Sequence, residues 1–219
     1  MARNTNTRIQ KPHIILCEGR DAEEFLITYL NSSALSDTPA YSTSFQVMDF
    51  GGNSDLLHFL LLLTKMEGFN KVKSILVIRD AERDVRRAVQ DIRNAFISAN
   101  MEEPPAAFTW THSSVKIGYL LFPKLDKAPE PGTLEDLCLR ILNDEQSPYI
   151  LEQVTELMDH LSSDNLRTFP REFKTKLHTY LSLTDRYVSL KIGEAARANA
   201  FCWNSPYLSP LKEFLLDAI

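Results

Sequence analysis

The sequence predicts an α/β protein: a Rossmann-like, mostly parallel sheet over residues 1–145, then an all-helical lobe over residues 146–219. Three observations carry that reading. HIILC (13–17) and SILVIR (74–79) are short β-branched, apolar runs of the kind that buried parallel strands show. Each run is followed by a segment with helical spacing, the order of a βαβ unit with its right-handed crossover. Beyond Gln146 no run of strand character occurs, and apolar residues recur at three- and four-residue intervals.

The elements follow in order. Residues 21–31 read as a helix with Phe25, Leu26, Tyr29 and Leu30 on its buried face. FQVMDF (45–50) is the second strand, and Gly51-Gly52 turns the chain. Asn53 or Ser54 caps a helix to about Lys65. Its stretch LLHFLLLL is apolar nearly all round, so it is expected to be sandwiched or to lie in a subunit interface, with His58 packed in the core. It is far too short to span a bilayer, which takes about 20 residues. Residues 84–99 form the helix after the SILVIR strand, and the stretch from Met101 to Pro105 ends it. VKIGYLLF (115–122) is a further strand, with residues 108–111 a short piece before it. After a proline-rich loop, Thr133 caps a helix beginning Leu134-Glu135-Asp136.

In the lobe, Ser147-Pro148 opens a helix facing inward through Ile150, Val154, Leu157 and Leu161; proline is tolerated in a first turn. Residues 171–183 form a second, burying Phe173, Leu177, Tyr180 and Leu181, and residues 188–199 a third. Ser209-Pro210 starts the last, and Trp203 and Tyr207 are expected to anchor the lobe to the sheet.

The HIILC and SILVIR strands are both closed by acid. Glu18 follows the first; Asp80, Glu82 and Asp84, spaced two apart, follow SILVIR. Ligands of open α/β sheets sit at the carboxyl ends of the strands. Neighbouring strands lie about 4.8 Å apart, so Glu18, Asp80 and Glu82 are expected to converge. Two carboxylates about 4 Å apart repel by on the order of 4 kcal/mol at an effective dielectric of 20. Either one keeps a proton or a cation sits between them. An oxygen-only set suits Mg²⁺ or Mn²⁺. Any one of these acids, taken alone, reads equally well as a solvated strand-end residue, with Asp84 and Arg87 an exposed pair; the coincidence of three favours the ion.

Composition bounds the rest. At 219 residues, 44% hydrophobic and 24% charged, the chain supports one sizeable core or a domain with an attached lobe. Cys17, Cys138 and Cys202 form an odd, scattered set without metal spacing, so they are read as buried hydrophobes in a reducing compartment. No apolar stretch of signal-peptide length follows the N-terminal basic residues, and a cytoplasmic location is expected. A net charge of −5 argues against nucleic-acid affinity from bulk electrostatics but leaves local contacts open. Arg79, Arg83, Arg86, Arg87 and Arg93 either face a phosphate or are solvated partners of nearby acids. The lobe's Arg167, Arg171, Lys174, Lys176, Arg186, Lys191 and Arg197 are one wall of a groove or a solvated surface.

The order strand, Glu-Gly, helix, strand, helix, strand, Asp-x-acid resembles the TOPRIM domain of topoisomerases, bacterial primases and OLD-type nucleases. More narrowly, EGRDAEEFL, FGGNSDLLHFL, ILVIRDAERD, IGYLLFP with GTLEDLCL, and the Trp203 segment before LKEFL resemble a prokaryotic family of TOPRIM-like proteins of unassigned function, over nearly the whole chain. The resemblance implies a TOPRIM-like sheet and Mg²⁺-dependent nuclease or nickase chemistry on DNA or RNA. Glu18 would be general base or metal ligand, Asp80 and Glu82 would hold the ion, and Asp84 and Glu135 are further candidate ligands. Lys124 is a candidate to approach a phosphate, and Gly19, Arg20 and Arg83 are candidates to bind substrate. Two positions depart from the pattern: Asp80-Ala81-Glu82 replaces Asp-x-Asp, and Ala22 stands where an acid is often found. These departures keep a second reading open, a binding or regulatory module that retains the fold and the ion without turnover. A third, a phosphoacceptor receiver-like domain, expects paired acids after the first strand, and Glu18-Gly19 fits it poorly. A homo-oligomer is compatible with the apolar helix; a membrane partner is not expected.

Overall fold

The computed structural model describes residues 8–36, 40–52, 55–144, 148–163 and 167–219. Among these, four strands, β1 (His13–Cys17), β2 (Phe45–Asp49), β3 (Ser74–Asp80) and β4 (Lys116–Phe122), form one all-parallel sheet in the order β2-β1-β3-β4. The helices among the described residues are α1 (Arg20–Leu30), α2 (Ala40–Ser44), α3 (Leu56–Leu63), α4 (Val85–Ser98), α5 (Leu134–Asp144), α6 (Pro148–Ser163), α7 (Glu172–Ser182), α8 (Ile192–Arg197) and α9 (Ser209–Leu216). The predicted α/β sheet with a helical C-terminal part is the architecture observed. Asn53, Ser54 and Ser147, read above as helix starts, lie outside the described residues.

The strands are mostly apolar and largely buried because both faces of the sheet are covered. On one face Ile15, Cys17, Leu76, Ile78, Leu120 and Phe122 meet α1, α5 and α9. On the other, Leu16, Ile75, Val77 and Leu121 meet α3 and α4. The lobe shares the first of these cores. α8 packs along α1 and is tied to it where Gly193 N–H donates to Asp21 Oδ1 at 3.0 Å. Trp203 stands edge-on to Phe25 of α1, with ring centres 5.1 Å apart, and packs against the core that the lobe shares with the sheet, while Tyr207 is exposed. Phe214 of α9 stacks on Trp110, ring centres 4.4 Å apart.

Several side chains depart from the expected faces. His58 is exposed, because α3 buries only Leu56, Leu60 and Leu63 and turns Leu61 and Leu62 outward. α6 buries Leu151, Val154 and Met158 and packs Ile150 against the core, so the expected face holds at Ile150 and Val154 but leaves Leu157 in solvent. Phe173 at the start of α7 is likewise exposed, and the third lobe helix is shorter than expected. Residues 108–111 are no strand, yet Phe108 N–H and Thr111 N–H donate to Tyr119 and Ile117 of β4. Cys17 and Cys138 are buried as expected, whereas Cys202 is only half-buried.

Gly118 of β4 lets α9 approach the sheet: a methyl group there would meet Phe214 Cζ at 2.9 Å and Trp110 at 3.0 Å. Gly118→Ala is therefore expected to destabilise the fold by about 1–3 kcal/mol, overriding the roughly 0.5–1 kcal/mol that alanine gains over glycine in a strand. Urea unfolding measures it; an unchanged or raised midpoint would contradict this packing.

Candidate functional site

The β1–β3 register pairs Cys17 with Ile78, so one step further sets Glu18 opposite Arg79. Strand alternation carries Asp80 to the same face as Leu76 and Ile78, and Arg79 to the face of Ile75 and Val77. Arg79 is 1% exposed, one of the largest wholly buried side chains, and its Nε lies 3.4 Å from Glu18 Oε2. That oxygen is itself buried and accepts no hydrogen bond among the described residues. Burial raises the Glu18 carboxyl above its usual range; Arg79 pulls it down, and Glu82 and Asp49 push it up.

After β3 the chain is held by the segment before α5. Glu82 adopts a left-handed conformation, φ 55°, uncommon for a residue with a side chain. A pair of backbone hydrogen bonds fixes it: Glu82 N–H donates to Gly132 at 2.9 Å, and Gly132 N–H donates back at 2.8 Å. Gly132 has φ 139° and no room for a methyl group, which would touch Pro123 Cδ at 2.9 Å and Asp136 Oδ2 at 3.0 Å. This clamp brings the start of α5 to Asp80, whose Oδ1 accepts the Leu134 N–H at 2.9 Å. Glu135, the next residue, is buried beside it and pairs with Lys174 of α7 at 3.4 Å.

Asp80 is the most perturbed acid of the group. Burial raises its carboxyl first, then Glu135; the Leu134 N–H opposes them, and Glu18 and Glu82 add to the rise, leaving the group at about 8. Asp80 is thus close enough to Glu18, Glu82 and Glu135 to feel the charge of each. The set is oxygen-only, which is the donor chemistry of a hard divalent cation. As the side chains stand, however, no three His, Cys, Asp or Glu residues among the described residues form a group that could hold a metal ion. The positive neighbour that Glu18 has here is Arg79, at 3.4 Å.

The other sequence candidates take different places. Gly19, φ 85°, precedes α1, and its N–H donates to Asp49 Oδ1 at 2.8 Å. Arg20 is exposed and pairs with Glu24 at 3.5 Å. Arg83 Nη2 donates to the Pro170 carbonyl at 3.0 Å. Asp84 caps α4 by accepting the Arg87 N–H at 3.1 Å, so its visible role is structural. Lys124 pairs with Asp126 at 3.5 Å. Asp49, not singled out above, ends β2 and accepts the N–H groups of both Gly19 and Gly51 with one oxygen, organising the loops beside Glu18. Its signal in the sequence is that FQVMD also ends in an acid, as the first and third strands do.

A family model described as a protein of unknown function, DUF3226, matches residues 12–219, and the chain belongs to that family. No curated protein and no solved structure matches it.

The acid cluster fixes a sign for the dependence of stability on pH. A carboxyl at about 8 in the folded chain and about 3.9 unfolded binds more protons when folded. Its neutral form is therefore favoured at low pH, and stability falls as pH rises from about 4 to 8, by at most about 1.4 kcal/mol per pH unit for one group. Asp80→Asn is expected to flatten that slope. Urea midpoints for parent and variant at pH 5, 6.5 and 8 measure it; equal slopes would refute the assignment.

Proposed function

We propose that this DUF3226 protein carries a TOPRIM-like acidic site at the carboxyl edge of its sheet, using a divalent cation, Mg²⁺ or Mn²⁺, for phosphodiester chemistry on nucleic acid. The observation that supports it most directly is that Glu18, Glu82 and Glu135, from three separate segments, lie near enough to Asp80 to raise its carboxyl, which burial first of all lifts, to about 8. An acid so placed stabilises a positive charge beside it. The order of the sheet puts the cluster at strand ends, where open α/β sheets bind ligands.

The roles follow from position. Asp80 and Glu82 would hold the ion, Glu135 would be a further ligand, and Glu18 would hold it or take a proton from the attacking group. A bound divalent ion would supply charge neutralisation at a phosphoryl oxygen. Asp80 is buried and fixed by the Leu134 N–H, so it is the rigid member. Glu82 is exposed and movable at its side chain although clamped at its backbone. Glu18 becomes available to solvent chemistry only on turning away from Arg79.

A second reading is favoured by that last contact. Arg79 and Lys174 already give Glu18 and Glu135 a positive neighbour, at 3.4 Å each. A module that binds nucleic acid or regulates a partner without turnover would need no more.

Melting with added metal tests the cation site, and turnover separates the two readings. At pH 8, millimolar Mg²⁺ or Mn²⁺ is expected to raise the melting temperature by a free energy RT ln(1 + [L]/Kd), about 2.7 kcal/mol at a hundredfold excess over Kd, with Asp80→Asn abolishing the shift. A plasmid and single-strand nicking assay then reads chemistry: Glu18→Gln is expected to lower the metal-dependent rate by roughly 10²-fold or more. A metal-insensitive melting curve rejects the cation site. A metal shift with no nicking by the parent selects the non-catalytic reading.

A further inference from the structure

We propose that the exposed face of α7 is the track on which a nucleic-acid strand is held by its phosphates, with the acid cluster at the amino-terminal end of that track. This rests on the reading above and names the surface that would present a substrate to those acids. Arg171, Lys174, Thr175, His178, Thr179 and Ser182 line an open depression of about 480 Å³. They recur at three- and four-residue intervals, so they form one stripe along the helix, opposite the buried Leu177, Tyr180 and Leu181.

The chemistry of the stripe identifies its occupant. No acidic residue lines the depression, and Leu183 is its one apolar residue. Arginine, lysine and hydroxyl side chains are the groups that contact phosphate and sugar in protein–nucleic acid complexes. Charge is concentrated locally: between residues 167 and 191 six Arg and Lys stand against two Asp and Glu, in a chain of net charge −5. The 11 residues of α7 extend about 16 Å, over which a B-form strand carries about five phosphates at one per 3.4 Å.

Two contacts set the track against the acids. Arg83, in the loop carrying Glu82, donates to Pro170, just before α7. Lys174, in the first turn of α7, pairs with Glu135. A strand lying along the stripe therefore reaches the carboxylates at its Arg171–Lys174 end.

Fluorescence anisotropy of the full chain with a labelled 20-nucleotide single strand and its duplex, in EDTA at 50–200 mM salt, tests the track without the metal. The parent is expected to bind at least one form, with log K falling linearly in log[salt]. Arg171→Glu is expected to weaken binding at least tenfold and to reduce the salt slope by roughly 0.7–0.9 per lost phosphate contact. It places an acid where the helix dipole favours one, so the fold should persist; an unchanged melting temperature verifies that. His178→Glu, midway along the stripe, should act alike, and Lys65→Glu, beyond the end of α3, should not. The proposal is overturned if the parent binds neither form, if Arg171→Glu and His178→Glu bind as the parent does, or if Lys65→Glu weakens binding equally. The readout is free of metal, so loss of the cation site leaves it unaffected, and failure here leaves the melting test of that site standing.

Discussion

The balance of charge at the carboxyl ends of β1 and β3 constrains the rest of the molecule. Several carboxylates are gathered in a partly dry place, and a buried guanidinium, Arg79, is set among them. Removing either partner of a buried ion pair leaves an uncompensated charge, which costs far more than the pair itself contributes. Register, loop and helix start are all consistent with this demand. The β1–β3 register puts Glu18 beside Arg79, the Glu82–Gly132 clamp draws α5 to Asp80, and the first N–H of α5 meets that carboxyl.

Much of this was legible in the sequence because it is local. Runs such as HIILC and SILVIR have one plausible environment, buried on both faces, and the helices after them follow from their spacing. That Asp80 feels the charge of Glu18 and Glu82 follows likewise from their places at neighbouring strand ends, though among the described residues the acids form no group that could hold a metal ion. Arg79 could not be read in this way. Its meeting with Glu18 depends on the inter-strand register, which no local pattern encodes, and an arginine in a run of charged residues reads as solvated. The same limit applied to His58, Leu157 and Phe173: each lies on a helix whose inward direction is fixed by which neighbour arrives, and that neighbour is distant in sequence.

The lobe contributes more than cover. Through Lys174 and the Pro170 carbonyl, α7 is joined to the segments carrying Glu135 and Glu82, so a basic surface and an acidic cluster share a border. Opposite signs side by side are what a site for a polyanion requires when the reacting phosphate is to be approached by carboxylates: one surface supplies attraction, the other supplies ligands. A modest negative net charge over the whole chain is compatible with such a division, since exposed charges more than about 10 Å apart are largely screened at ordinary ionic strength.

The seating of α8 on α1 and of Phe214 over Gly118 has a consequence for synthesis on the ribosome. The helix directly after the first strand obtains its outer partner only when residues beyond 190 have emerged, and Gly118 of β4 is covered by Phe214 of α9. Contacts so far apart in sequence form late and slow the search for the native state. The nascent sheet must therefore wait, with its apolar α1 surface incompletely covered, until α8 and α9 have emerged.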